Sequence, residues 1–146
     1  MEDSKADATL VRHLLQSHDV CQHLHIVENG DEAMAFLQRQ GKFTDAPTPD
    51  LILLDLNIPR KSGLEVLAEI KRHPDLKFVP VIVLTSSASP ADVRHAYSFG
   101  ANLYCRKPCD LDETEQLIQT LVKGWLRFAL LPSTVTANAP LPAAAL

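Results

Sequence analysis

The chain has no excess of basic residues, no long apolar run and too few cysteines to build a scaffold. Its 14 Lys and Arg stand against 18 Asp and Glu, a net charge of −4 over 146 residues. The positive field that a nucleic-acid backbone demands is therefore missing, and a nucleic-acid partner is excluded. No apolar stretch reaches the length of a bilayer crossing, and no basic segment followed by an apolar one opens the chain, so neither a membrane span nor a secretory leader is expected. Three cysteines, odd in number and unevenly spaced, are no disulfide framework. A reducing compartment, the cytoplasm, is the expected location. There is also no internal repeat. What is present is an apolar content of 46%, enough for a single ordinary core. Pro132 to Leu146 is mostly Pro, Ala, Ser, Thr and Leu without charge or helical period, and reads as a disordered tail. The expected division is one domain over residues 1–130 and a tail over 131–146.

The remaining sequence alternates between two periodicities. Apolar residues at 6, 10, 14 and at 8, 11, 15 give one helix face between Asp3 and Ser17. Leu24 to Val27 reads as a short strand, and Asp31 opens a helix that ends near Gly41. Lys42 to Pro49 is a proline-bearing loop. Leu51-Ile52-Leu53-Leu54 is short and unbroken, as in a strand covered on both faces of a parallel sheet. Gly63, Val66, Leu67 and Ile70 make the next helix face, and Val79 to Leu84 the next buried strand. Ser89 can cap a helix with Pro90 and Asp92 in its first turn, stopped by Gly100. Ala101 to Cys105 is a last strand. Asp110 and Glu113 resemble a capping box for a helix through Leu117, Ile118, Leu121, Val122 and Trp125. Short links between alternating strands and helices predict an α/β fold, doubly wound on a mostly parallel sheet.

In such a sheet the functional crevice lies at the carboxyl ends of the strands. Three strands end there in a reactive residue: Asp55 after 51–54, Thr85 after 79–84, and Lys107-Pro108 after the last. An acidic pair, Glu2-Asp3, stands just before the first helix. Carboxylates with one lysine and one hydroxyl suit a hard, oxygen-loving dication together with a phosphoryl group. The carboxylates alone would repel phosphate. Mg²⁺ bridges the two, and the lysine neutralises what remains. Each residue has a plainer reading as a turn or helix-start residue. The specificity lies in their order on successive strands.

The segment PDLILLDLNIPRKSG, from Pro49 to Gly63, resembles the phosphoacceptor segment of two-component receiver domains. PVIVLTSS and ANLYCRKP resemble the two later signatures of that family, in the same order and spacing, and the resemblance extends from Glu2 to about Phe128. It implies a five-stranded flavodoxin-like sheet and phosphorylation on aspartate by a sensor histidine kinase. It implies a role for each matching position: Asp55 as phosphoacceptor; Asp3, Glu2, Asp55 and the Asn57 carbonyl as Mg²⁺ ligands; Thr85 as the hydroxyl that turns to the phosphoryl group; Lys107 as its counter-charge; Tyr104 as an aromatic switch; and a cis bond between Lys107 and Pro108. A carboxylate nucleophile with a metal clamp needs no separate general base. The protein is then a signalling phosphoacceptor with at most weak self-phosphorylation and self-dephosphorylation, not an enzyme. One departure stands out. The family places an apolar strand before the acidic pair, whereas Met1 alone precedes Glu2, so the first strand is missing from this sequence. Truncation is the expected cause, and a neighbouring chain could donate a strand.

No effector domain fits after Phe128, so a stand-alone regulator acting by protein contact is expected. The stretch Tyr97-Ser98-Phe99-Gly100-Ala101-Asn102 and the apolar C-terminal helix resemble the regulators that accompany bacterial phytochromes. Two rivals remain. A haloacid-dehalogenase-like phosphatase also has a nucleophilic aspartate after an apolar strand, but Asn57 stands where it needs a second acid. A degenerate receiver would serve as an interaction module. Trp125, Leu126, Phe128, Ala129, Leu130 and Leu131 leave Arg127 the one polar residue in their run, too apolar for a one-sided helix, which predicts a homodimer through Trp125, Leu126 and Phe128. His23 and His25 could share a strand face and hold a metal, though solvent exposure is simpler. Cys105 and Cys109 have no redox spacing.

Overall fold

Val81, Ile82, Val83 and Leu84 are all buried, so the strand they form is covered on both faces. It is the centre of a three-stranded parallel sheet in the computed structural model of the chain, which describes residues 23–132. The elements in order are α1 (Gly30–Leu37), a 3₁₀ turn (Gly41–Phe43), β1 (Ile52–Leu54), α2 (Gly63–Arg72), β2 (Val81–Thr85), α3 (Pro90–Ser98), β3 (Leu103–Arg106), α4 (Leu111–Lys123) and a π-helical turn (Gly124–Phe128). The strand order is β1-β2-β3, with Ile52 opposite Val81 and Ile82 opposite Leu103. The α/β fold with a parallel sheet is thus as the sequence indicates.

The two-residue period of the strands sorts the core into two layers. Leu54, Val81 and Val83 meet Ala33 and Phe36 of α1, Val66, Leu67 and Ile70 of α2, and Ala96 of α3. Leu84 packs with Ile118 and Val122 of α4, and Leu53 and Cys105 border that smaller cluster. Helices therefore cover both faces. Each helix starts on a side-chain cap: Asn29 accepts the Glu32 amide at 2.9 Å, Ser89 the Asp92 amide at 3.4 Å, and Asp110 the Glu113 amide at 3.0 Å. At α2, Ser62 and Glu65 exchange bonds in both directions, a full capping box.

Several expectations are corrected. Residues 24–27 are not a strand among the described residues. No strand among the described residues pairs with them, and an extended segment without a ladder partner is not a strand. The helix from Asp31 stops at Leu37, because Arg39 turns into the left-handed region at φ 56° and Gly41 follows at 58°. The last α-helix ends at Lys123. Gly124, the weakest helix former in the run, opens a wider turn in which Ala129 donates to the Gly124 carbonyl at 3.2 Å. Leu126 borders the smaller cluster and Leu131 is buried, while Phe128 and Leu130 are exposed. The helix from Asp3 to Ser17, and the tail beyond Pro132, lie outside the described residues.

Candidate functional site

Three parallel strands deliver their last residues to one edge. β1 ends at Leu54 and presents Asp55; β2 ends in Thr85; β3 ends at Arg106 and presents Lys107. The ladder carries on one step past β3, where the Lys107 amide donates to the Thr85 carbonyl at 2.8 Å. That bond fixes the lysine's backbone beside Thr85. Its ammonium then reaches Asp55, with Nζ 2.8 Å from Oδ2. The other carboxylate oxygen, Oδ1, accepts the Asn57 amide at 3.0 Å.

Asp55 is 6% exposed and Thr85 fully buried. Burial pushes the Asp55 carboxyl up, but the Lys107 ammonium, the Asn57 amide and the Thr85 hydroxyl together outweigh it and hold the group below the usual carboxylate range. The aspartate is therefore ionised at neutral pH, the form a nucleophile needs.

The Asn57 side chain donates through Nδ2 to the Thr85 hydroxyl at 3.4 Å and to that of Ser86 at 3.3 Å. The Ser87 amide donates to the Thr85 hydroxyl at 3.4 Å. The two bonds that end on the Thr85 hydroxyl oxygen are both 3.4 Å long, so turning that oxygen away from Asn57 and Ser87 costs little. Tyr104 borders the larger core cluster and its hydroxyl donates to the Ser87 carbonyl at 3.0 Å. Burial raises its phenol.

The loop between Asp55 and α2 is clamped by glycines. A Cβ on Gly63 would fall 2.3 Å from the Asp55 carbonyl oxygen and 2.6 Å from the Leu56 Cα. One on Gly30 would fall 2.2 Å from the Lys61 carbonyl oxygen. Backbone therefore packs on backbone on both sides of the loop, and Arg60 completes its bend at φ 69°.

Asp55, Asn57, Thr85 and Lys107 are thus brought together, with Tyr104 on β3 tied to the loop after Thr85 through the Ser87 carbonyl. Glu2 and Asp3 lie outside the described residues. The cis bond expected at Lys107–Pro108 is not found; no peptide bond among the described residues is cis. Trans is the lower-energy isomer even before proline, and Lys107 already reaches Asp55 with it. His25 packs its ring 5.0 Å from that of Phe36. No group of three His, Cys, Asp or Glu side chains among the described residues could hold a metal. Oxygen donors of the carboxylate and carbonyl type do fit a hard dication; the described part of that set is Asp55 and the carbonyl of Asn57. Ser87 escaped the sequence reading. Its one signal was the pair of serines directly after Thr85.

Residues 1–119 match the response regulator receiver domain family. The chain belongs to that family. Receivers of response regulators are signalling proteins rather than enzymes. The chain is 46% identical over 133 residues to the response regulator Rcp1 of Synechocystis, covering 91% of this chain and 90% of Rcp1. The crystal structure of Rcp1 in its Mn²⁺-bound form superposes with a TM-score of 0.87 at 46% identity, over 90% of this chain and 95% of the other. That of RcpA, a cyanobacterial phytochrome response regulator, in its phosphorylated form gives 0.88 at 43% identity, over 90% and 94%. This receiver is therefore similar to the phytochrome response regulators Rcp1 and RcpA. Among the described residues, no helix is long and apolar enough to cross a membrane.

Proposed function

We propose that this receiver is a stand-alone response regulator that accepts a phosphoryl group on Asp55 from a phosphohistidine of a sensor kinase. The observation that carries the reading is one buried, ionised aspartate held between the ammonium of Lys107 and the hydroxyl of Thr85. In the transfer, a carboxylate oxygen of Asp55 forms the new P–O bond as the P–N bond of the phosphohistidine breaks. The leaving imidazole takes its proton from solvent. Because Asp55 is already ionised, no base is needed. Lys107 sits where it can neutralise a phosphoryl oxygen, and Thr85 where it can donate to another.

The Mn²⁺-bound state of Rcp1 supports a divalent-metal requirement, with Mg²⁺ the ion of the working protein. Glu2, Asp3, Asp55 and the Asn57 carbonyl would hold it; when bound, it neutralises phosphoryl charge beside the carboxylates. The phytochrome assignment of RcpA supports a bacteriophytochrome kinase as partner. The working location is the cytoplasm, and the assembly a homodimer through the turn carrying Trp125, Leu126 and Phe128. A degenerate receiver is disfavoured by the intact grouping of Asp55, Thr85 and Lys107. A haloacid-dehalogenase-like phosphatase is disfavoured by Asn57, which cannot act as an acid. Incubation with acetyl phosphate and Mg²⁺ tests the reading: one phosphate per chain supports it, and none would refute it.

A further inference from the structure

β3 pairs with β2 on one side, and it is the outer strand among the described residues. Just past its end the Lys107 amide donates inward to the Thr85 carbonyl, whereas the Tyr104 amide donates to the hydroxyl of Tyr97 at 3.2 Å. Tyr97 lies near the C-terminal end of α3 and is 48% exposed, so water can replace it at the amide. Tyr104 is therefore held twice. Its backbone is held from the end of α3, and its hydroxyl rests on the Ser87 carbonyl in the loop before α3.

Ser87 is also the tie between α3 and the phosphoacceptor site. Its amide donates to the Thr85 hydroxyl at 3.4 Å, and its own hydroxyl donates to Asp92 Oδ2 in the first turn of α3 at 2.6 Å. The helix is nine residues long, about 13 Å at 1.5 Å per residue. It is fastened to Thr85 at one end and to the edge of β3 at the other.

We propose that the Tyr97 hydroxyl is a latch, made when Thr85 faces Ser87 and released when Thr85 turns to a phosphoryl group on Asp55. Tyr97 is then a positioning residue for the switch. When the Thr85 hydroxyl swings to a phosphoryl oxygen, the Ser87 amide loses its acceptor, and the loop carries Asp92 and the start of α3 with it. A short helix moves as one body. The Tyr97 bond ends on an amide fixed in the sheet ladder, so displacement of the helix breaks it. A bond made in one of two states shifts their balance by its own net worth. The proposal rests on the reading of Asp55 as phosphoacceptor.

Tyr97→Phe keeps the ring and removes the hydroxyl. Beryllofluoride with Mg²⁺, titrated by NMR, should half-saturate the variant at about fivefold lower concentration than wild type, the factor given by a net hydrogen bond of about 1 kcal/mol. Without beryllofluoride the variant should melt below wild type; with it saturating, the two should melt together. A purely structural tyrosine would lower both melting temperatures and leave half-saturation unchanged, and either unchanged or weaker binding overturns the latch. In an Asp92→Ala background, which cuts the other tie, Tyr97→Phe should add no further shift; an undiminished shift also overturns it. A folded wild type that binds no beryllofluoride would instead overturn the phosphoacceptor reading.

Discussion

Lys107 Nζ lies 2.8 Å from Asp55 Oδ2, and the two side chains are 11% and 7% exposed. A pair this far from water gains little net stability, because desolvating both charges offsets most of their attraction. Its placement at the meeting point of three strand ends makes sense as chemistry: the lysine keeps a buried carboxylate ionised and stands ready for a second anion.

Lys107→Ala leaves that carboxylate with the Asn57 amide and the Thr85 hydroxyl. Removing one partner of a buried ion pair should cost about 3–5 kcal/mol in urea unfolding. Removal of a positive charge beside a cation site should leave Mg²⁺ affinity unchanged or tighter, while the response to phosphorylation is lost. A folded variant with clearly weaker Mg²⁺ binding would show that the lysine does not face the site.

Thr85 and Tyr104 should move together. The Tyr104 hydroxyl now rests on the Ser87 carbonyl, and the Ser87 amide on the Thr85 hydroxyl. Once a phosphoryl oxygen attracts the Thr85 hydroxyl, space opens for the ring. Crystal structures with and without beryllofluoride should show two Tyr104 rotamers, and in Thr85→Ala a single one. The same rotamer in both wild-type structures, away from lattice contacts, would count against the coupling.

Much of this was legible in the sequence, and the parts that were not share a cause. Four consecutive apolar residues before Asp55 suit a strand of a parallel sheet, and the parallel order then places Asp55, Thr85 and Lys107 on one edge. Helix caps at Ser89 and Asp110 declare themselves because a cap acts within three residues. Long-range contacts leave no such mark. Nothing local tells that Gly63 must be glycine because the Asp55 carbonyl lies against it, that Ser87 joins Thr85 to α3, or that the Tyr97 hydroxyl meets a strand amide seven residues on. The apolar run continues past the end of α4 at Lys123, and it hides the low helix propensity of Gly124 that ends the helix. The strand expected at 24–27 was read from its apolar pattern, but a strand exists only through its partner.

Gly63→Ala tests the packing of the loop that follows Asp55. The added methyl meets backbone, which cannot swing aside as a side chain can. Overpacking of this kind should cost about 1–3 kcal/mol, read as a lower urea midpoint. It should also slow labelling by acetyl phosphate, since the displaced atom is the carbonyl of Asp55 itself. Unchanged stability and labelling would mean that α2 can retreat from the loop freely.

Phe128 and Leu130 are 57% and 54% exposed on the turn after α4, while Leu126 borders the protein's own core. Sedimentation should give a dimer for wild type and a monomer for Trp125→Ala with Phe128→Asp. A monomeric wild type at micromolar concentration, phosphorylated or not, would exclude the interface.

The most direct measurement is intact-mass analysis of wild type and Asp55→Asn after incubation with acetyl phosphate and Mg²⁺. Wild type should gain the mass of a single phosphate, labile to base as an acyl phosphate is, and Asp55→Asn none. An Asp55→Asn protein that still gains phosphate would contradict the assignment of Asp55 as the phosphoacceptor.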